Sequence, residues 1–278
     1  IVIVTMLFME EHFLPVLPAL RERRDHCDAM VCAMSAGEVM RLTRMGRFAM
    51  DGKTSGPMAL LKRLRGAKGK PGEGGAPPAA SGAAQMKMLR RLPQILRFIP
   101  GTAQDVRAYF LVLQYWLAGS EDNIANLVRL LVHRYADGAR RALRDTVQAQ
   151  PPVHYPEVGV YHPAMTDRIA EDAAGLPRPT AGGGSVGLLL MRSYLLAGNG
   201  AYYDGVIAAF EARGLHVIPA FASGLDARPA VERYFLDAQG KPVVDAVVSL
   251  TGFSLVGGPA YNDARAAEEL LAKLDVPY

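Results

Sequence analysis

The sequence predicts an α/β protein: two parallel-sheet segments of Rossmann or flavodoxin type, with an added helical insertion and both ends truncated. Three observations predict it. Short apolar runs recur at 1–6, 28–34, 186–191, 215–220 and 243–250, the pattern of strands buried on both faces. In the second half these runs alternate with helical stretches of about 10–14 residues, which implies right-handed βαβ crossovers and a parallel sheet. The chain has 278 residues, half of them hydrophobic, enough for one large core or two ordinary ones.

The first segment is expected over 1–147. Its opening strand at 1–6 has no initiator Met and no residues ahead of it. A strand buried on both faces needs neighbours, so preceding residues are expected. A helical pattern at 12–24 is limited at its start by Pro15 and Pro18. A second strand follows at 28–34, then a helix at 35–42 with Ser35 as N-cap. Residues 58–64 read as one or two helical turns. Residues 65–84, RGAKGKPGEGGAPPAASGAA, have almost no large apolar side chains and cannot offset their ordering entropy. A disordered loop inside the domain is expected there.

A helical part spans 86–137. Its first helix, 86–98, should be broken by Pro93. The second, 102–117, is apolar at Val106, Tyr109, Phe110, Leu113 and Trp116. Trp116 reads as core. Ser120 then caps 121–136, with Glu121 and Asp122 in the first turn where the helix dipole favours acids. Its expected buried stripe is Ile124, Leu127, Val128, Leu131 and Tyr135. Residues 148–155, with two consecutive prolines, read as a linker. Ten of the twelve methionines precede residue 90, so the two halves also differ in composition.

The second segment, 156–278, carries strands at 157–161, 186–191, 215–220 and 243–250. Helices are expected at 202–213, 228–236 and 262–274, the first ended by Gly214. Residues 275–278 look like the start of one more strand, which leaves the last αβ step incomplete.

Several function classes are disfavoured. The net charge is only +4, and its basic excess between 41 and 70 runs into the Gly/Pro/Ala stretch. A nucleic-acid surface would carry a dense basic stripe with interleaved aromatics. Cys27 and Cys32 fit no zinc pattern and no disulfide framework. Buried, unpaired thiols in a reducing compartment are expected. No apolar run reaches the roughly 18 residues of a membrane span, and nothing reads as a signal peptide. The expected location is the cytoplasm. GGGSVG at 182–187 matches G-x-G-x-x-G, but its glycines precede a strand instead of leading from a strand into a helix. A nucleotide site is therefore not expected, and the P-loop Lys is missing too. Glu10, Glu11 and His12 follow the first strand and read as a solvated helix start before a cation site.

Ligands of open α/β sheets bind outside the carboxyl ends of the strands. In a parallel second sheet those ends bring His162, Arg192, Tyr194, Ser223, Thr251 and Phe253 to one rim. Aromatic faces, one cation, one imidazole and hydroxyls suit a large flat ring with carboxylate tails. The aromatics would stack and Arg192 would pair a carboxylate. The competing reading is that these residues only end strands and cap helices. The rim lacks Asp and Glu, because Asp226 and Asp245 are expected to face turns.

Seven blocks carry a family resemblance: LFMEEH at 7–12, SGPMALL at 55–61, QYWLAGSEDN at 114–123, PEVGVYHP at 156–163, VGLLLMRSYLLAGN at 186–199, IPAFASGL at 218–225 and SLTGFSLVGGPAYN at 249–262. In order, and over nearly all the chain outside 65–84, they resemble the large (H) subunit of magnesium chelatase. They resemble the cobaltochelatase large subunit more loosely, and the second and third blocks favour the magnesium branch. The resemblance implies an N-proximal portion of a very large subunit of chlorophyll or bacteriochlorophyll biosynthesis. That subunit would bind protoporphyrin IX and house Mg²⁺ insertion. ATP would be used by partner AAA+ subunits of I and D type. Insertion requires a base for two pyrrole protons, and Mg²⁺ wants oxygen ligands. The resemblance places the catalytic acids beyond Tyr278, so no catalytic residue and no metal ligand is assigned. This portion would bind or position substrate or partners, and alone it would be inactive. The alternatives are a docking module without porphyrin contacts, a cobaltochelatase-type subunit, and a free-standing Rossmann-like enzyme with a small substrate.

Overall fold

The computed structural model describes residues 1–50, 91–178, 183–258 and 261–278. The expected helical turns at 58–64 and the loop at 65–84 lie outside the described residues. The chain forms two compact units. The first holds Ile1–Ala118 and Asp122–Val153, the second Gly119–Glu121 and His154–Tyr278.

In the first unit, strands β1 (Val2–Thr5), β2 (Ala29–Ala33), β3 (Arg44–Met45) and β4 (Phe48–Ala49) form one sheet in that order. Of these, β1 and β2 are parallel, from Val2 opposite Met30 to Thr5 opposite Ala33. The crossover is two short helices, Glu10–Phe13 and Leu17–Arg24, instead of one, with Pro18 in the first turn of the second. The β3–β4 hairpin has no clear sequence signal. It turns on Gly46 at φ +57°, where an added Cβ would lie 2.8 Å from the Asp105 carboxylate. That carboxylate accepts from the Arg47 backbone N–H and from the Tyr135 hydroxyl, each at 2.9 Å.

Every residue of β2 is buried, and its alternation serves two faces. Ala29 and Val31 pack with Met45, Phe48, Tyr109, Phe110, Leu127 and Leu131, so the helices Thr102–Ala118 and Glu121–Tyr135 cover that face. Met30 and Cys32 pack on the other face with Phe13, Leu17 and Val39. Trp116 packs against the first of these cores. Residues 91–96 are helical straight through Pro93, whose carbonyl accepts from Arg107 Nε at 2.9 Å.

Two expectations here are corrected. The helix after β2 spans only Gly37–Met40, and Ala36 precedes it without a side-chain cap. Ser35 Oγ instead donates to the Ala33 carbonyl and accepts from the Leu7 N–H. The buried side of Glu121–Tyr135 is rotated, since Val128 is exposed while Asn123 and Asn126 are buried. The two amides strap down the following chain. Asn123 exchanges hydrogen bonds with both backbone groups of Val153 at 2.9 Å, and Asn126 accepts from Gln150 N–H at 2.9 Å. Apolar periodicity cannot see amides that bury themselves on backbone.

The second unit is built on β5 (Val158–Tyr161), β6 (Ile169–Ala170), β7 (Ser185–Met191), β8 (His216–Ala222) and β9 (Ala246–Ser249), in the order β6-β5-β8-β7-β9. Strands β7, β8 and β9 are parallel. β5 runs antiparallel to β8, with Val158 opposite Ala222, so the sheet is mixed instead of wholly parallel. The connection explains it. Among the described residues between β5 and β7, the chain forms the strand β6, antiparallel to β5, and a short 3₁₀ turn at Ala173–Gly175. Neither is the crossover helix that a return in parallel requires.

Helices Arg228–Tyr234 and Ala264–Leu274 cover one face through Val231, Phe235, Leu270 and Leu274. Ala201–Glu211 covers the other through Tyr203 and Ile207. Gly187 in β7 has a packing reason: a Cβ there would meet the Phe235 ring at 2.7 Å.

Candidate binding rim of the second unit

The carboxyl ends of β7, β8 and β9 open onto one rim. They border a shallow pocket, open to solvent, whose wall includes Met191, Phe221, Leu225, Asp226, Thr251 and Phe253. Most of its wall is apolar. The loop after β9 is shaped by hydroxyls. Ser249 Oγ and Thr251 Oγ1 lie 3.0 Å apart, and the Phe253 N–H donates to Thr251 Oγ1 at 3.2 Å. This turn leaves the Phe253 ring 39% exposed beside the pocket.

Of the six expected rim residues, Thr251 and Phe253 line the pocket. Ser223 sits between the lining residues Ala222 and Gly224, and its N–H donates to the Glu157 carbonyl at 2.6 Å. Tyr194 stands in the short helix Arg192–Leu196 directly after β7, 45% exposed.

Arg192 departs from its expected role. Its Nε donates to the Pro156 carbonyl at 2.7 Å and its Nη2 to the Tyr155 carbonyl at 3.2 Å. The guanidinium therefore pins the chain leading into β5. Sequence periodicity does not report which backbone carbonyls a long cation will find.

His162 is not on the rim. Because β5 is antiparallel to β8, its end points toward the opposite edge. His162 is 2% exposed, with Nε2 2.9 Å from Glu211 Oε1 at the far end of helix Ala201–Glu211. The Ala164 N–H donates to Nδ1 at 3.1 Å, so Nδ1 is the acceptor and Nε2 carries the proton given to Glu211. This is a packed, satisfied histidine.

The two aspartates divide. Asp245 accepts from the Ser185 N–H at 2.6 Å, at the amino end of β7 and away from the rim. Asp226, expected to face a turn, lines the pocket instead. Its carboxylate is held by Arg228 through Nε at 2.9 and 3.1 Å and Nη2 at 2.6 Å. This hydrogen-bonded pairing raises the Arg228 pKa. A sequence signal exists, since Asp226-x-Arg228 lies in the loop four residues after the end of β8. Tyr202 is a rim residue that sequence reasoning misses, because it reads only as the first position of a helix. It is 46% exposed, and its ring lies 6.5 Å from that of Tyr194.

The remaining motifs resolve structurally. A Cβ on Gly183 would sit 2.0 Å from the Gly214 carbonyl oxygen, so close backbone approach accounts for this glycine. Glu10, Glu11 and His12 are exposed. No group of three or more His, Cys, Asp or Glu able to hold a metal occurs among the described residues. Both thiols are free. Cys32 is buried and Cys27 only half-buried. Burial pushes the Cys32 thiol up to about 11, against the opposing hydrogen bond with Thr43. No helix among the described residues is long and apolar enough to cross a membrane.

Comparisons with known proteins divide the chain differently. Residues 1–110 match a domain of unknown function, DUF3479, and 113–278 match the CobN/Magnesium Chelatase family. The chain is 53% identical over 278 residues to the magnesium-chelatase H subunit of Cereibacter sphaeroides, covering 100% of this chain and 22% of that protein. It is 38% identical over 290 positions to the chloroplastic magnesium-chelatase ChlH subunit of Oryza sativa subsp. indica, covering 99% of this chain and 20% of that protein. The solved Catalytic Subunit of Cobaltochelatase from Mycobacterium tuberculosis aligns at 17% identity and TM-score 0.39, over 89% of this chain and 14% of that chain. The chain thus spans about a fifth of the length of the curated relatives it matches.

Proposed function

This chain belongs to the CobN/magnesium chelatase family, and from that premise we propose that it is a portion of the porphyrin-binding subunit of a magnesium chelatase. The observation that carries the reading is 53% identity, over all 278 residues, to the H subunit of a magnesium chelatase. In this reading the complete enzyme inserts Mg²⁺ into protoporphyrin IX on the way to bacteriochlorophyll or chlorophyll. Partner AAA+ subunits of I and D type bind and hydrolyse the ATP, and the work is done in the cytoplasm.

The part played by these residues is binding and positioning. The pocket offers apolar wall for a macrocycle edge and the Phe253 ring for its face. The exposed Ser223 offers a hydroxyl for polar substituents, while the Thr251 hydroxyl holds the turn that presents Phe253. The chemistry of insertion needs a base for the pyrrole protons. Asp226 is tied to Arg228 and is a poor choice, so that step falls to residues outside this portion. Titrating the complete subunit with a soluble dicarboxylate porphyrin tests the reading. Quenching of protein fluorescence with a shifted porphyrin absorption band is expected, and no spectral change would sink it.

A second reading, in which the first unit docks partners, has one observation in its favour. Met6, Phe8, Met9, Leu14 and Val16 are exposed together in and after the loop that follows β1. Deleting residues 1–153 from the complete subunit separates the two. Porphyrin affinity kept with turnover lost assigns docking to the first unit.

A further inference from the structure

We propose that Tyr194 and Tyr202 form a preorganised corner, in the two helices that follow the carboxyl end of β7, that seats the flat ring of a tetrapyrrole. The inference rests on the porphyrin-binding reading above and names two residues that would carry it. Tyr202 is half exposed, yet it is not loose. Its ring lies 4.0 Å from that of Tyr203, which is fully buried. The Tyr203 hydroxyl in turn accepts from the Met191 N–H at 3.0 Å, so this tilted ring pair is anchored to the last residue of β7. Burial, then hydrogen bonding to Tyr203, holds the Tyr202 phenol protonated above its ordinary range. It therefore presents a neutral ring at any physiological pH.

Tyr194 completes the corner. Its ring meets that of Tyr202 at 73°, an edge-to-face pair that leaves two aromatic surfaces nearly at right angles. A planar ring laid on one surface has its edge against the other. The connecting loop is Ala197-Gly198-Asn199-Gly200, and space is open where a Cβ on Gly198 would lie. Small residues there help keep the rings uncovered. Arg192, two residues before Tyr194, is engaged with the Tyr155 and Pro156 carbonyls, so its charge is turned to backbone and the corner is apolar in character. Exposed aromatics that are already immobilised lose little entropy on binding, which favours a ligand over a merely tolerated surface.

The test uses the complete subunit and a soluble dicarboxylate porphyrin. Tyr202→Leu and Tyr194→Leu are each expected to weaken binding about five- to tenfold, and Tyr202→Phe to keep wild-type affinity. A second measurement needs no variant: bound porphyrin should shield both tyrosines from nitration, read by peptide mass. If the wild type binds porphyrin while the Leu variants bind equally well and nitration is unshielded, the corner is refuted and the porphyrin reading stands. Leu variants that lose thermal stability but keep affinity also refute it, because the rings would then be covered by the rest of the subunit. If the wild type itself binds no porphyrin, the parent reading fails and the corner with it.

Discussion

The two sheets of this chain start from the same pattern and reach different ends. In the first unit one parallel pair, β1 and β2, is followed by the antiparallel hairpin β3–β4. In the second, three parallel strands are joined by helices, and the antiparallel pair β5–β6 lies on one side. The carboxyl ends of β1 and β2 lead into Met6 and Met34, both exposed and both at positive φ. Those of β7, β8 and β9 gather hydroxyls, aromatic rings and a clamped carboxylate around a pocket. A rim collects chemistry only from strands that arrive in the same direction, and only a crossover can deliver them that way.

The largest effect is expected from a cut where the two family segments meet. The two family segments meet between 110 and 113, inside the helix Thr102–Ala118. The compact first unit continues to Val153. Removing residues 1–110 from the complete subunit would strip the sheet from Leu127, Leu130, Leu131 and Tyr135, which belong to its core. Each fully buried side chain of this size is worth about 1.5–3 kcal/mol, so together they match a typical domain's whole stability of about 5–15 kcal/mol. Aggregation is expected from that cut, and a soluble subunit with cooperative thermal unfolding from a cut after Val153. Equal behaviour of the two would show that the helices 102–135 do not depend on the first sheet.

Much of this architecture was legible in sequence, for a physical reason. Buried strands such as β2 and β7 are continuous apolar runs, and helices such as Thr102–Ala118 repeat their apolar residues at helical spacing. The hairpins were not legible, because two-residue strands carry too few side chains to show a period. Strand direction was not legible either. It cost the rim its histidine: placing His162 there assumes that β5 runs parallel with the others. Arg192 and Asp226 failed differently, since hydrogen bonds to distant backbone and neighbouring side chains leave no trace in a linear pattern.

The structure assigns Arg192 to holding Tyr155 and Pro156, in place of the ligand carboxylate expected from sequence. Arg192→Ala should destabilise the second unit by about 1.5–3 kcal/mol through lost charge-assisted hydrogen bonds. Hydrogen exchange should rise around residues 154–160 first. Under the proposed porphyrin-binding function, the salt dependence of that binding should stay that of the wild type. A variant of unchanged stability, but with weakened and salt-independent porphyrin binding, would return the guanidinium to the ligand.

The two units also differ in how they answer to pH. Strand β7 carries no titratable side chain, whereas β2 carries Cys32. Burial raises that thiol from its ordinary 9.0 to about 11, so the folded state keeps a proton that the unfolded chain releases. Its contribution to stability is complete below 9.0 and fades as pH climbs toward about 11. The second unit responds on the acid side. His216, at the start of β8, has a buried Nε2 without a hydrogen-bond partner, and burial, then Arg178, lowers its pKa from 6.5. The unfolded chain binds that proton first, so the contribution is present above 6.5 and is lost as pH falls through the lowered value. Hydrogen exchange followed by unit should therefore loosen β8 first on acidification and β2 first on alkalinisation. Cys32→Ala should remove the part of the first unit's alkaline limb that begins near 9.0, keep the part from the buried Tyr115 and Tyr135 phenols that begins near 10.0, and leave the acid limb of the second unit untouched. An unchanged onset near 9.0 after the substitution would assign that part of the limb to another group.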